Sequence, residues 1–119
     1  MSTATASSVH WFHACRVDDI APWTGVAALF NGIQIALIRF GHGESIHALA
    51  NFDPFSKAYV ISRGIVGDVG GVPTVASPVY KQHFRLSDGV CIEDAAVVLP
   101  AYQIRIEHGD IFVAITPIA

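Results

Sequence analysis

The sequence is short of charge. Asp, Glu, Lys and Arg make up 14% of the 119 residues, against a hydrophobic share of 52%. Disorder needs the opposite balance, so the chain is expected to fold. Its length suits one domain with a core of its own. Few charged side chains are available to cover a surface. Part of the exterior must then be apolar or uncharged, which favours a protein partner and self-association of the isolated chain. Basic residues are scarce as well: seven Lys and Arg lie scattered, and the net charge is −3. The phosphate neutralisation that drives nucleic-acid binding has no footprint here. Only two cysteines occur, Cys15 and Cys91, without paired spacing. Residues 1–8 have neither the charged start nor the apolar stretch of a secretory signal, so a cytoplasmic location with reduced thiols is expected. Residues 20–38 carry no charge, but Pro22, Thr24, Asn31-Gly32 and Gln34 interrupt them, and no membrane span is expected.

Catalytic and metal signatures are missing too. No Gly-x-Ser-x-Gly elbow places a nucleophile. The glycine-rich stretch Gly67 to Gly71 lacks a strand-to-helix context and a P-loop lysine. His13 and Cys15 stand two apart, hence on one face of a strand, but no second pair has the spacing a zinc site needs. No catalytic, cofactor-binding or metal-binding residue is assigned.

What is present is the rhythm of an all-β sandwich or small barrel, with apolar runs separated by turn signals. The runs cover residues 10–16, 26–30, 33–40, 46–50, 102–107 and 111–115. Asn31-Gly32 between two of them predicts a type I′ hairpin. His108-Gly109 predicts a closing hairpin, whose first strand alternates apolar with polar residues and whose second is apolar throughout, thus covered on both faces. Helix evidence is thin, with at most a short turn over 93–99. Residues 1–8 read as a flexible tail and 9–119 as a single domain. Residues 51–80, rich in proline, glycine and aromatics, show little strand character. A long irregular segment in a compact domain usually carries function.

Two stretches inside this region resemble the cluster-binding loops of Rieske proteins. One is Ala50-Asn-Phe-Asp-Pro-Phe-Ser56; the other is Ser77-Pro-Val-Tyr-Lys-Gln-His-Phe84, followed by a strand and the turn Asp88-Gly89. In Rieske proteins each loop supplies one Cys and one His to a [2Fe–2S] cluster. Here the corresponding positions hold Asn51 and Asp53, then Ser77 and Tyr80. Amide, carboxylate, hydroxyl and phenol oxygens do not replace soft thiolates and imidazoles as a set. The longer strings Asp53-Pro-Phe-Ser-Lys-Ala-Tyr-Val-Ile-Ser-Arg-Gly-Ile-Val-Gly-Asp68 and Val75-Ala-Ser-Pro-Val-Tyr-Lys-Gln-His-Phe84 resemble the small subunit of assimilatory NADH-dependent nitrite reductase, over residues 9 to 116.

That resemblance implies a Rieske-like antiparallel fold without its cluster. It also implies a large catalytic partner subunit carrying FAD, an iron–sulfur cluster and siroheme, which reduces nitrite to ammonium. The loops then have two readings: closure of a barrel end, or docking to the partner. Tyr80 and Phe52 are expected to fill the space of a cluster, since a void there would cost stability. Pro54, Phe55, Lys57 and Lys81 are expected to face outward and bind the partner. Arg63-Gly64 and Gly67-Asp68 read either as a partner loop or as a tight turn with a local Arg63–Asp68 ion pair. Two other functions stay open: a Rieske-type electron carrier with unusual ligands, and a stand-alone interaction module.

Overall fold

The computed structural model describes residues 10–118. The expected tail, 1–8, lies outside them. Eleven strands are present: β1 (Trp11–Arg16), β2 (Gly25–Phe30), β3 (Ile33–Arg39), β4 (Ile46–Ala50), β5 (Phe52–Asp53), β6 (Ala58–Tyr59), β7 (Ile65–Val69), β8 (Val72–Ala76), β9 (His83–Arg85), β10 (Ala101–Glu107) and β11 (Asp110–Ile118). Six of them form an antiparallel sheet in the order β1-β11-β10-β4-β3-β2. Its two edges curl toward each other, and Phe12 on β1 stacks on Phe30 of β2 with ring centroids 4.2 Å apart. The sheet is therefore a nearly closed barrel. A three-stranded sheet, β7-β8-β9, and the short pair β5-β6 complete the fold.

The Asn31-Gly32 hairpin is as expected. Both turn residues are left-handed, φ 54° and 84°, and Phe30 pairs with Ile33 across the turn. Strand β10 alternates exposed Gln103, Arg105 and Glu107 with half-buried Ile104 and Ile106. In β11, Ile111, Val113 and Ala114 are buried, while Phe112 is partly covered by Arg105, whose guanidinium carbon lies 5.3 Å from its ring.

The uninterrupted apolar run of β3 has a direct cause. Ile35 and Leu37 face a core inside the barrel, with Val17, Ile20, Ala48, Ile111 and Val113. Ala36 and Ile38 face a second core, with Leu49, Ile61, Val75, Phe84, Leu86 and Leu99, where the barrel meets the smaller sheet. A strand buried on both faces must be apolar at every position.

Two expectations need correction. Residues 51–80 are not irregular throughout, because 65–76 form the β7-β8 hairpin. Gly67 and Pro73 lower the apparent strand character there, while Gly70-Gly71 between Val69 and Val72 was the available hairpin signal. Second, a bulge in β1 shifts the register between His13 and Cys15. His13 is exposed and lies 3.0 Å from Asp110, whereas Cys15 packs against the barrel core, so the two do not serve as a ligand pair. Residues 93–99 hold a short turn and no helix, as expected, with the Val97 amide donating to the Asp94 carbonyl. No helix among the described residues is long and apolar enough to cross a membrane.

Candidate functional site

The two loops are near copies of one turn. The first runs Asp53-Pro54-Phe55-Ser56-Lys57, the second Ser77-Pro78-Val79-Tyr80-Lys81. In each, the leading polar side chain accepts a hydrogen bond from the amide two residues on: Phe55 N–H to Asp53 Oδ1 at 2.9 Å, Val79 N–H to Ser77 Oγ at 3.3 Å. In each, the lysine amide donates to the carbonyl four residues back, Lys57 to Asp53 at 2.8 Å and Lys81 to Ser77 at 3.1 Å. Both lysines are left-handed, with φ 62° and 68°. The proline after the leading residue pre-sets the chain for such a turn.

The copies are joined at their heads. Asp53, fully buried, accepts the Ser77 hydroxyl at 2.5 Å and the Ser56 hydroxyl at 2.8 Å on Oδ2. A buried carboxylate survives only when so satisfied. Asn51 works on the other side of the first loop. Its Oδ1 accepts the Ser62 amide at 2.8 Å and its Nδ2 donates to Gln34 Oε1 at 3.0 Å, tying β3 to the short 3₁₀ turn Ile61–Arg63.

Asp53 and Ser77 are thus brought together, Asn51 anchors a neighbouring segment, and Tyr80 stands apart at 60% exposure. Tyr80 does not fill the loop interior as expected. Phe55, expected outward, is the aromatic that turns in, toward Phe84 at a centroid distance of 6.2 Å and against the second core. Phe84, part of the second core, gives the Phe55 ring an apolar neighbour, while the Asp53–Ser77 contact fills the space between the loops with polar groups. Phe52 is half-buried and meets Tyr59 edge-on at 5.0 Å. Lys57 and Lys81 are exposed as expected. Pro54 lines a shallow apolar groove of about 210 Å³ with Ala50, Phe52, Val98, Leu99 and Pro100.

Gly64 has an ordinary φ of −73°, so no special backbone angle demands glycine there. A Cβ would instead meet Ala76 O at 2.4 Å and Val75 Cγ2 at 2.6 Å, so glycine lets the 3₁₀ turn press on β8. The expected Arg63–Asp68 pair is not among the ion pairs of the described residues; Asp68 accepts the Gly71 amide at 2.9 Å and so closes the hairpin turn.

Residues 10–114 match the Rieske-like [2Fe-2S] domain family. The nitrite reductase (NADH) small subunit of Salmonella typhimurium is 46% identical over 99 residues, covering 83% of this chain and 92% of that one. The chain belongs to this family of nitrite reductase small subunits. The solution structure of the Escherichia coli protein NirD superposes with a TM-score of 0.83 at 40% identity, covering 89% of this chain and 96% of that one. A third relative is of another kind. The nitrite reductase [NAD(P)H] large subunit of Klebsiella oxytoca contains a segment 41% identical over 103 residues, which is 87% of this chain but 11% of that protein.

Membership in a [2Fe-2S] family raises the question of whether the residues here fit a cluster. They do not. The four ligand positions offer an amide, a carboxylate, a hydroxyl and a phenol, none of them a soft donor. The carboxylate is already committed to three hydrogen bonds, and the phenol is at the surface. Among the described residues no group of three or more His, Cys, Asp or Glu is placed to hold a metal ion. Both cysteines are free, and burial pushes both thiols up, so neither is a ready thiolate.

Burial alone would raise the Asp53 carboxyl. Hydrogen bonds from the Ser77 and Ser56 hydroxyls and from the Phe55 and Ser56 amides outweigh it and hold the group below its ordinary 3.8. The unfolded chain therefore takes up this proton at higher pH than the native one. The stabilisation is complete above the ordinary value and is lost as pH falls through the native value. Thermal melts of wild type and Asp53→Asn from about pH 6 to about pH 3 should show the gap between them narrowing in acid. A gap constant with pH would mean that folding leaves the Asp53 carboxyl unshifted, and a gap that widens in acid would mean that the native state holds it protonated.

Proposed function

We propose that the chain is the non-catalytic small subunit of a cytoplasmic NADH-dependent nitrite reductase, serving nitrate and nitrite assimilation, and that it carries no cofactor. The large subunit, with FAD, an iron–sulfur cluster and siroheme, performs the reduction of nitrite to ammonium. This chain acts by binding the folded large subunit in preference to its unfolded form, which stabilises or orients the catalytic chain. The observation that carries the reading is the Asp53–Ser77 hydrogen bond: the centre that would hold a cluster is instead a lock between two loops. The Klebsiella relative supports the partner, because a domain like this one there forms part of the large-subunit polypeptide itself. Docking through the loop end fits the exposed Lys57, Lys81 and Tyr80 and the groove beside Pro54, with Phe55 as the support beneath.

The test combines capture and turnover. Tagged chain from native cells should co-purify a siroheme protein, and adding it to isolated large subunit should raise the rate or the lifetime of nitrite-dependent NADH oxidation. The purified chain should hold no stoichiometric iron and no visible absorption. A brown, iron-loaded preparation would instead support an electron carrier of the Rieske ferredoxin type.

A further inference from the structure

Lysine occurs twice in the sequence, at 57 and 81. Both copies occupy the same place in the two repeated turns, at the fifth residue, amide-bonded four residues back, with φ above 60°. That backbone region is disfavoured for any residue with a Cβ and suits glycine. Turn geometry therefore does not explain the choice of lysine. Local bonding does not explain it either, since neither ammonium makes an ion pair or a side-chain hydrogen bond among the described residues. Strain kept at an exposed position points to a function for the side chain.

The electrostatic setting is consistent. The chain is anionic, at −3, yet residues 51–58 and 77–84 hold one carboxylate, Asp53, and it is fully buried. The two exposed charges on these turns are both positive. They start from one tied centre, because Asp53 and Ser77 share a hydrogen bond and each lysine lies four residues beyond one of them. Around them Tyr59, Val79 and Tyr80 are 56%, 45% and 60% exposed.

Resting on the subunit reading above, we propose that Lys57 and Lys81 act together as a two-pronged clamp for carboxylates on the large subunit, with Tyr59, Val79 and Tyr80 seated on apolar surface beside them. Affinity should then fall with salt, as expected of exposed charges brought together at a rim.

The experiment measures binding of the full chain to the large subunit across a salt series, for wild type and three double variants. Lys57→Glu with Lys81→Glu should weaken binding by about 100-fold at low salt, and Lys57→Gly with Lys81→Gly by about tenfold, both with a flattened salt dependence. The glycine pair relieves the left-handed strain, so it should melt no lower than wild type, which separates loss of charge from loss of fold. Lys57→Arg with Lys81→Arg should keep most of the affinity. Wild-type affinity in the glutamate or glycine pair, or a loss in the arginine pair as large as in the glutamate pair, overturns the clamp while leaving the subunit reading intact. Failure of wild type to bind the large subunit at any salt takes down the subunit reading itself.

Discussion

Asp53→Ala should lower the melting temperature by about 10 °C and uncouple the two loops. The carboxylate accepts the Ser77 hydroxyl, the Ser56 hydroxyl and the Phe55 amide. Alanine leaves all three donors without their acceptor. A buried donor left unsatisfied costs about 1–3 kcal/mol. The Ser56 side reaches water, so a total near 3 kcal/mol is expected, and a domain of this size loses about 3–5 °C per kcal/mol. Asp53→Asn keeps the shape and one acceptor oxygen but turns an NH₂ group toward hydroxyl donors, so it should lose about half as much. Calorimetry gives the stability, and amide NMR signals of Lys57 and Lys81 report the loops. A drop of under about 1 kcal/mol, the size of an ordinary exposed bond, would show that the lock contributes little.

Gly89→Ala should be at least as damaging, for a different reason. Gly89 ends the turn after β9 at φ 78°, and an added Cβ would lie 2.1 Å from Leu99 O. The Leu99 amide donates to Gly89 O at 2.9 Å, and Leu99 is a buried member of the second core just before β10. The left-handed angle costs alanine about 1–2 kcal/mol. Moving the Leu99 backbone aside adds about 1–3 kcal/mol of strain. The sum approaches the total stability of a marginal domain, about 5–15 kcal/mol. Gly32→Ala is the matched control: its φ is 84°, but nothing lies within 4 Å of the added Cβ. Urea unfolding should show a small shift for Gly32→Ala and a large one, or insoluble protein, for Gly89→Ala. Equal shifts would mean that the close approach to Leu99 is unimportant.

Local chemistry was legible in the sequence, and long-range chemistry was not. The Asn31-Gly32 hairpin, the alternation of β10 and the closing hairpin all rest on neighbours along the chain, and the residues announced them. The loops were located because their strings resemble a known family. What the loops do internally was hidden. The Asp53–Ser77 bond spans 24 positions, and nothing in either string alone shows which oxygen meets which. The exchange of roles between Phe55 and Tyr80 was hidden for the same reason: it rests on Phe84, remote in the chain, lying beside the Phe55 ring while Tyr80 stands exposed. The β1 bulge was equally invisible, because one extra residue reverses a two-residue periodicity without altering composition. The β7-β8 hairpin, by contrast, was announced by Gly70-Gly71 and masked only by Gly67 and Pro73.

β3 is a party wall. Its odd-numbered residues Ile35 and Leu37 finish one compartment and its even-numbered neighbours Ala36 and Ile38 finish the other. Neither compartment can melt without stripping the shared partition, so barrel and loop platform should be lost in a single cooperative step. The loop end packs on the outer of these two compartments through Phe55 and Phe84, so its loops should open only when the barrel behind them does.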